Sequence, residues 1–356
     1  MSTDLAEIHD ELRAVARGLL AKAGPGTGID GRLIAEAGWL GLEVPEALDG
    51  AEATFAEVAV VLGELGRAAA RSSYLGAAVL GVGTLNLLEP NPGRDLLLRR
   101  TASGETITAV ALAGGEERDP PFRVERSPSG PCLHGGAAFV PDATGADRLL
   151  LPALGPDGEP VIVEVEPRAA GLTVIGQPVL DATRSLGMVK ADGVEVGEES
   201  VWRFSGDPDA AIRRILDRAA VAVACDSLGL SEAMLDATVA YTGVREQFGR
   251  PIGSFQAVKH ACADMLVRIS VSRRLAAAAV RRLTDDDPEA SVAASMAKSY
   301  ACGAAVDVVG KAMQLHGGLG YTWESGIHVH LKRAVLNRSL FGSPAAHRRR
   351  LAERYH

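Results

Sequence analysis

The residues best equipped for chemistry lie in one stretch, Thr242 to Lys259, which reads TGVREQFGRPIGSFQAVK. An alanine-rich helical pattern runs into it and is expected to stop at Gly249-Arg250-Pro251. Pro251 has no backbone N–H and biases the residue before it away from helix. A second helix restarts after Gly253, with Ser254 as its expected N-cap and Phe255 opening its first turn. Arg245, Gln247, Phe248, Phe255 and Gln256 are thereby gathered at one helix–turn–helix corner. An Arg and two amides beside free helix-terminal N–H groups suit a pyrophosphate, and two Phe rings suit a flat heteroaromatic. The same residues also suit a plain corner with an exposed Arg and two core rings, and composition does not choose between these readings.

The elements that must position this corner follow from hydrophobic spacing. Leu5, Ile8, Leu12, Val15 and Leu19 mark a helix over 4–23, and a short helix over 30–39 has Asp30 as a plausible N-cap. Thr54 to Ala70 is strongly periodic, with Thr54 and Glu57 at capping-box spacing. Ser72 to Leu88 is small and apolar and reads as a buried helix. The texture changes near Thr101. TITAVALA, CLHGGAAFVP, RLLLPAL, VIVEVEP, LTVIGQ and MVKADGVEV are short, β-rich and bounded by Gly, Pro or Asp, as in an antiparallel unit. SGDPD (205–209) is a linker by composition, and four long helices are expected after it, over about 210–249, 254–284, 288–316 and 324–341. Asp287-Pro288 would open the third of these, and Gly317-Gly318-Leu319-Gly320 would end it. The fold class is therefore α+β: an N-terminal helical domain (1–100), a middle antiparallel β domain (101–204) and a C-terminal four-helix bundle (205–356).

Bulk properties exclude several classes. A net charge of −8 gives no general case for nucleic acid. The basic tail HRRRLAERY lacks interleaved aromatics and reads as a solvated helix end. No run of about 18 apolar residues suggests a membrane span, the N-terminus does not read as a signal peptide, and a cytoplasmic location is expected. Cys132, Cys225, Cys262 and Cys302 form no CxxC pair, so neither zinc nor a redox dithiol is indicated. His328 and His330 diverge by roughly 200° on a helix, which disfavours a metal site, so none is expected. Glu324 reads as a structural carboxylate at a helix start. His316 is open to a cofactor contact or to a packing role.

The order helices, strands, helices, together with VREQFGRPIGSFQAVKH (244–260) and QLHGGLGYTWE (314–324), resembles the acyl-CoA dehydrogenase family over nearly the whole chain. AGWLGLEVPEALDG (37–50) and VLGELGRAA (61–69) add to the likeness. The resemblance implies FAD shared between neighbouring subunits, an acyl-CoA substrate, α,β-desaturation, and an electron-transferring flavoprotein as acceptor. Arg245, Gln247, Phe248, Phe255, Gln256, Gln314, Gly317 and Gly318 match the residues that hold the ADP half of a neighbour's FAD.

The residues that would complete the chemistry depart from that pattern. The usual catalytic Glu falls at Phe341, which accepts no proton. The alternative base position, on the helix ahead of the corner, falls at Ala219. Asp217 and Asp226 lie near it out of register, and Asp226 is a weak candidate base. Phe139 and Pro141 stand where a Trp and a hydroxyl residue contact the flavin ring. Groups for the ADP half remain while groups for the reactive ring are missing. This asymmetry suggests a β-type subunit of an actinobacterial α2β2 enzyme, one that acts on steroid side-chain CoA thioesters with base and ring contacts from an α-type partner. A self-sufficient homotetramer with an unconventional base and a non-catalytic acyl-CoA-binding homologue are the alternatives.

Overall fold

Apolar spacing builds the first helical unit of the computed structural model, which describes residues 2–21, 24–29, 31–116, 119–127, 130–322 and 325–354. Helix α1 is Ser2–Leu20, α2 is Gly31–Glu36 and α3 is Phe55–Arg67. The capping box of α3 is present: Thr54 accepts from the Ala56 N–H, and Glu57 accepts from the Thr54 N–H at 2.8 Å. The N-cap role expected of Asp30 falls outside the described residues. The apolar run after Ser72 is a fully buried π-helix, Leu75–Val82, continued by α4 (Gly83–Leu85). A further helix, α5 (Pro92–Ala102), is capped by Asn91, whose side chain accepts from the Arg94 N–H at 2.9 Å.

The middle unit is an eight-stranded sheet. Its strands are β1 (Thr108–Val110), β2 (Phe122–Ser127), β3 (Gly130–Pro141), β4 (Arg148–Leu154), β5 (Pro160–Val165), β6 (Leu172–Gly176), β7 (Leu186–Glu195) and β8 (Val201–Trp202). The path runs β6-β7-β3-β2-β4-β5-β8, with β1 beside β4. Pairing is antiparallel except where β1 and β2 meet β4. A register shift between Ala137 and Val140 bulges β3 against β7 and re-aims Phe139.

Asp207 and Pro208 start α6 (Pro208–Val244), which runs through the centre of the C-terminal unit. It is followed by α7 (Gln256–Thr284), α8 (Ala290–His316), α9 (Ile327–Ser339) and a fifth helix, α10 (Pro344–Glu353), at the start of the basic tail. Helices α3 and α6 cross at backbone contact, since a Cβ on Gly229 would run into the Gly63 carbonyl. That closeness explains the small residues on both helices.

A buried polar network ties the three units together. Arg333 on α9 donates to both carboxylate oxygens of Asp226 on α6, at 3.0 and 2.5 Å, to the Ala70 carbonyl at 2.6 Å and to Thr183 at 3.0 Å. Arg184 and Asn337 reach the same carboxylate at 3.2 and 2.5 Å. Asp142, after β3, accepts from the Gly76 N–H of the π-helix at 3.0 Å. Burial raises the Asp142 carboxyl to about 6, against the pull of Gly76, Arg184 and Arg333. A raised acid pKa means that the unfolded chain ionises first, so this group erodes stability as pH rises from about 3.8 to about 6. Asp142→Asn is expected to keep the Gly76 contact and to flatten that segment of the stability–pH curve, as read by urea denaturation. An unchanged curve would remove Asp142 as its source.

Candidate functional site

The corner differs in its local structure from the sequence expectation. Helix α6 ends at Val244, before Arg245, and Glu246–Gln247 pairs antiparallel with Arg250–Pro251 in a two-residue hairpin. Phe248 and Gly249 occupy its turn with φ of 54° and 77°, the positive-φ pair that such a tight hairpin needs. The chain then passes through a 3₁₀ turn, Ile252–Ser254, into α7. Ser254 does not cap α7: Phe255 holds the cap position, and Ser254 Oγ is buried without a hydrogen-bond partner.

The hairpin presents its side chains outward. Phe248 is 93% exposed, with its ring edge-on to Phe255 at 6.1 Å. Arg250 stacks on the other ring, 4.1 Å from the Phe255 centroid. Arg245 and Gln247 are exposed, and the Arg245 guanidinium has no ion-pair or hydrogen-bond partner among the described residues. Gln256 is exposed in the first turn of α7.

The second motif stands against the first through an aromatic stack. Tyr241 lies one turn before Arg245, whose N–H it accepts at 2.9 Å. The Tyr241 ring stacks on His316 with centroids 4.4 Å apart, and His316 is fixed by the Ala312 carbonyl at 2.8 Å. His316 is therefore a buried spacer between the two motifs. Beyond it, Gln314 is exposed beside Lys311. A Cβ on Gly317 or Gly318 would meet nothing within 4 Å, so the backbone there is open to approach. The spacing of Tyr241 from Arg245 was visible in the sequence, but the partner that makes it matter lies 75 residues away at His316.

The positions expected to serve the reactive ring and the base are hydrogen-bonded within the chain, with Phe341 buried and Phe139 42% exposed. Phe139 sits on the bulge with φ 57°, and its N–H is engaged by Gln177 Oε1 at 2.6 Å. Pro141 continues β3, opposite Leu186. Gly114 packs against Phe139 and Leu340, receives the Phe341 N–H at 2.8 Å and donates to Ala138 at 3.0 Å. Phe341 is buried, and its carbonyl accepts from His347 at 2.9 Å. Lys298, fully buried, donates to the carbonyls of Arg338 and Gly342 at 3.2 and 2.8 Å. Three chain segments are thus knitted together around a phenyl ring. Glu116 flanks them, bonded to Ser343 at 2.6 Å and to Arg349 at 2.8 Å. The Ser343 hydroxyl, and then Arg349, hold it below the usual carboxylate range.

The carboxylates near Ala219 are engaged in the core. Ala219 is fully buried in the core. Asp226 is also fully buried, and although burial alone would raise its carboxyl, Arg333 and Arg184 hold it at about 2. Such a group, held by two arginines and with no exposed surface, does not suit a proton acceptor. Asp217 is buried as well and accepts from Ser291. Glu324 lies outside the described residues. His330 is buried between the Gly326 and Arg67 carbonyls at 3.2 Å each. Among the described residues no group of three His, Cys, Asp or Glu could hold a metal ion, and no helix is long and apolar enough to cross a membrane.

Comparisons with known proteins show what the chain is similar to. The acyl-CoA dehydrogenase N-terminal domain matches residues 9–105, and the acyl-CoA dehydrogenase C-terminal domain matches residues 209–356. Acyl-CoA dehydrogenase FadE34 of Mycobacterium tuberculosis is 34% identical over 85% of this chain, and the chain spans 38% of that relative's length. Acyl-CoA dehydrogenase IpdE2 of the same organism is 32% identical over 90% of this chain and 84% of its own length. The solved structure of the Tcur3481-Tcur3483 steroid ACAD G363A variant superposes with a TM-score of 0.85, at 30% identity, covering 98% of both chains.

Proposed function

The chain belongs to the acyl-CoA dehydrogenase family, oxidoreductases acting on CH–CH donors, and from that premise we propose that it is the β-type subunit of a two-chain FAD enzyme. In this reading it grips the ADP half of a flavin whose ring and catalytic base belong to a partner subunit. One observation carries it. Arg245 is exposed with no side-chain partner among the described residues, while the usual base position is filled by Phe341, a buried ring that accepts no proton.

The residues present fit the nucleotide end of FAD. Arg245 supplies a free planar fork for phosphate oxygens. Gln247, Gln256 and Gln314 offer amide donors and acceptors, Phe248 and Phe255 offer an apolar platform, and the open backbone at Gly317 and Gly318 permits close approach. Bound FAD supplies the hydride acceptor for α,β-desaturation. This chain's own contribution is to bind and orient. The proton acceptor comes from the partner, since neither Phe341 nor Ala219 can take a proton. Likeness to the Tcur3481-Tcur3483 steroid ACAD supports a steroid side-chain CoA thioester as substrate and a two-chain assembly. We assign reoxidation to an electron-transferring flavoprotein and the complex to the cytoplasm.

The cofactor ratio tests the assignment. Purified alone, the chain is expected to be colourless. Co-expressed with its α-type partner, the complex is expected to hold one FAD for every two chains, and an acyl-CoA thioester should bleach it. Stoichiometric FAD and acyl-CoA oxidation by the lone chain would overturn the proposal. Glu116→Gln separates this reading from a self-sufficient enzyme, because Glu116 is a carboxylate beside position 341. The complex should keep its turnover in that variant. Loss of turnover with FAD retained would move the base into this chain.

A further inference from the structure

A cavity of about 740 Å³ lies among α1, α3, α6 and α7. Its lining shares no residue with the 245–256 corner or with the region around Phe139 and Phe341. It is a cleft open to solvent along part of its rim, where Ala277 and Arg281 are exposed. The floor is made of small side chains from three helices at once: Ala59 and Gly63 on α3, Gly229 on α6 and Ala277 on α7. Gly63 is the telling position. A Cβ there would meet nothing within 4 Å, so one leucine would fill space that the chain leaves open.

One end of the cavity is chemically distinct. Elsewhere on the rim the charges are matched, Glu64 with Arg17 at 2.8 Å and Glu232 with Arg273 at 2.7 Å. Arg281 lines the cavity with no side-chain partner among the described residues. Thr284, three residues on, also lines it, but through carbon atoms, because its hydroxyl oxygen has no accessible surface facing the space. Arg281 is thus an exposed, unmatched cation, among the described residues, at one end of a mostly apolar cleft. Asp285 stands at the same end, so the site takes one acceptor group and repels a polyanion such as CoA. We propose that this cleft binds an apolar molecule bearing a single carboxylate, with the carboxylate on Arg281 and the apolar body along the Ala59–Gly63–Ala277 floor.

The test titrates the full-length chain, and its flavin-bearing complex, with the fluorescent fatty acid cis-parinaric acid and with its methyl ester. Saturable binding of one acid per copy of this chain is expected. Gly63→Leu should weaken it roughly tenfold or more while Tm holds or rises, because leucine is the better helix former and has room. Ala277→Leu, at an exposed position, should act alike. Arg281→Met should weaken the acid on the order of tenfold and leave the ester unchanged, since only the acid loses a charge-assisted contact. Undiminished binding in both leucine variants would overturn the cavity as the site. Equal effects of Arg281→Met on acid and ester would overturn the carboxylate, and absence of saturable binding would overturn the whole.

Discussion

Arg245→Ala in the assembled complex is expected to lower FAD affinity on the order of ten- to a hundredfold, the worth of one charge-assisted contact to phosphate. The effect should be confined to the cofactor. Arg245 is exposed and makes no contact through its guanidinium among the described residues, so Tm of the flavin-free protein should not move. Arg245→Lys should recover only part of the loss, because an ammonium gives a point charge where a guanidinium gives a two-pronged fork. Affinity of the unaltered complex should also fall with added salt, and that salt dependence should shrink in Arg245→Ala. Equilibrium dialysis or flavin fluorescence reads all four. If Arg245→Ala keeps its full FAD complement and affinity, the corner does not hold the nucleotide.

That prediction rests on residues whose grouping was legible in one dimension, because all of them except Gln314, Gly317 and Gly318 fall within twelve positions of each other. Local signals were sound where one element contains the whole cause. The Thr54–Glu57 capping box is complete, and the alanine-rich helices run close to their expected lengths. Legibility failed where the cause is a partner elsewhere. The residues Leu75–Val82 are buried on every side, so apolar spacing carries no period by which a π-helix could be told from an α-helix. The hairpin at Phe248 depends on a backbone turn rather than on the proline that marked the break. The hydrogen bonds beside Phe139 join residues 114, 139, 177 and 341, which no spacing rule connects. Asp226 is the sharpest case. As a sequence feature it was a carboxylate near a vacant base position, whereas its partner Arg333 lies 107 residues away.

That pairing sets the largest expected stability effect. Arg333 is 2% exposed and Asp226 is 0% exposed, so replacing Arg333 by Met leaves a buried carboxylate with only Arg184 and Asn337. Breaking one side of a buried pair typically costs about 3–5 kcal/mol, well above the worth of the pair relative to an apolar substitute. The same change frees the Ala70 carbonyl and the Thr183 hydroxyl, so it loosens the N-terminal and middle units from α9 together. Unfolding of Arg333→Met should therefore occur at lower urea and in a broader transition than in the parent chain. Its acid limb should change in a definite direction. In the parent the Asp226 carboxyl is depressed from about 3.8 to about 2, so its contribution is present above 3.8 and is lost as pH falls through 2. Without Arg333 the depression shrinks, so less stability should be lost between about pH 3.8 and about pH 2 and the acid limb should be shallower. The double variant Asp226→Leu with Arg333→Met should recover part of the stability, because it removes the stranded charge as well as its partner. Urea denaturation at several pH values checks each step. A single variant as stable as the parent would show that the network is ornamental, and a double variant no better than the single would show that the cost lies in the contacts of Arg333 to Ala70 and Thr183 rather than in the charge of Asp226.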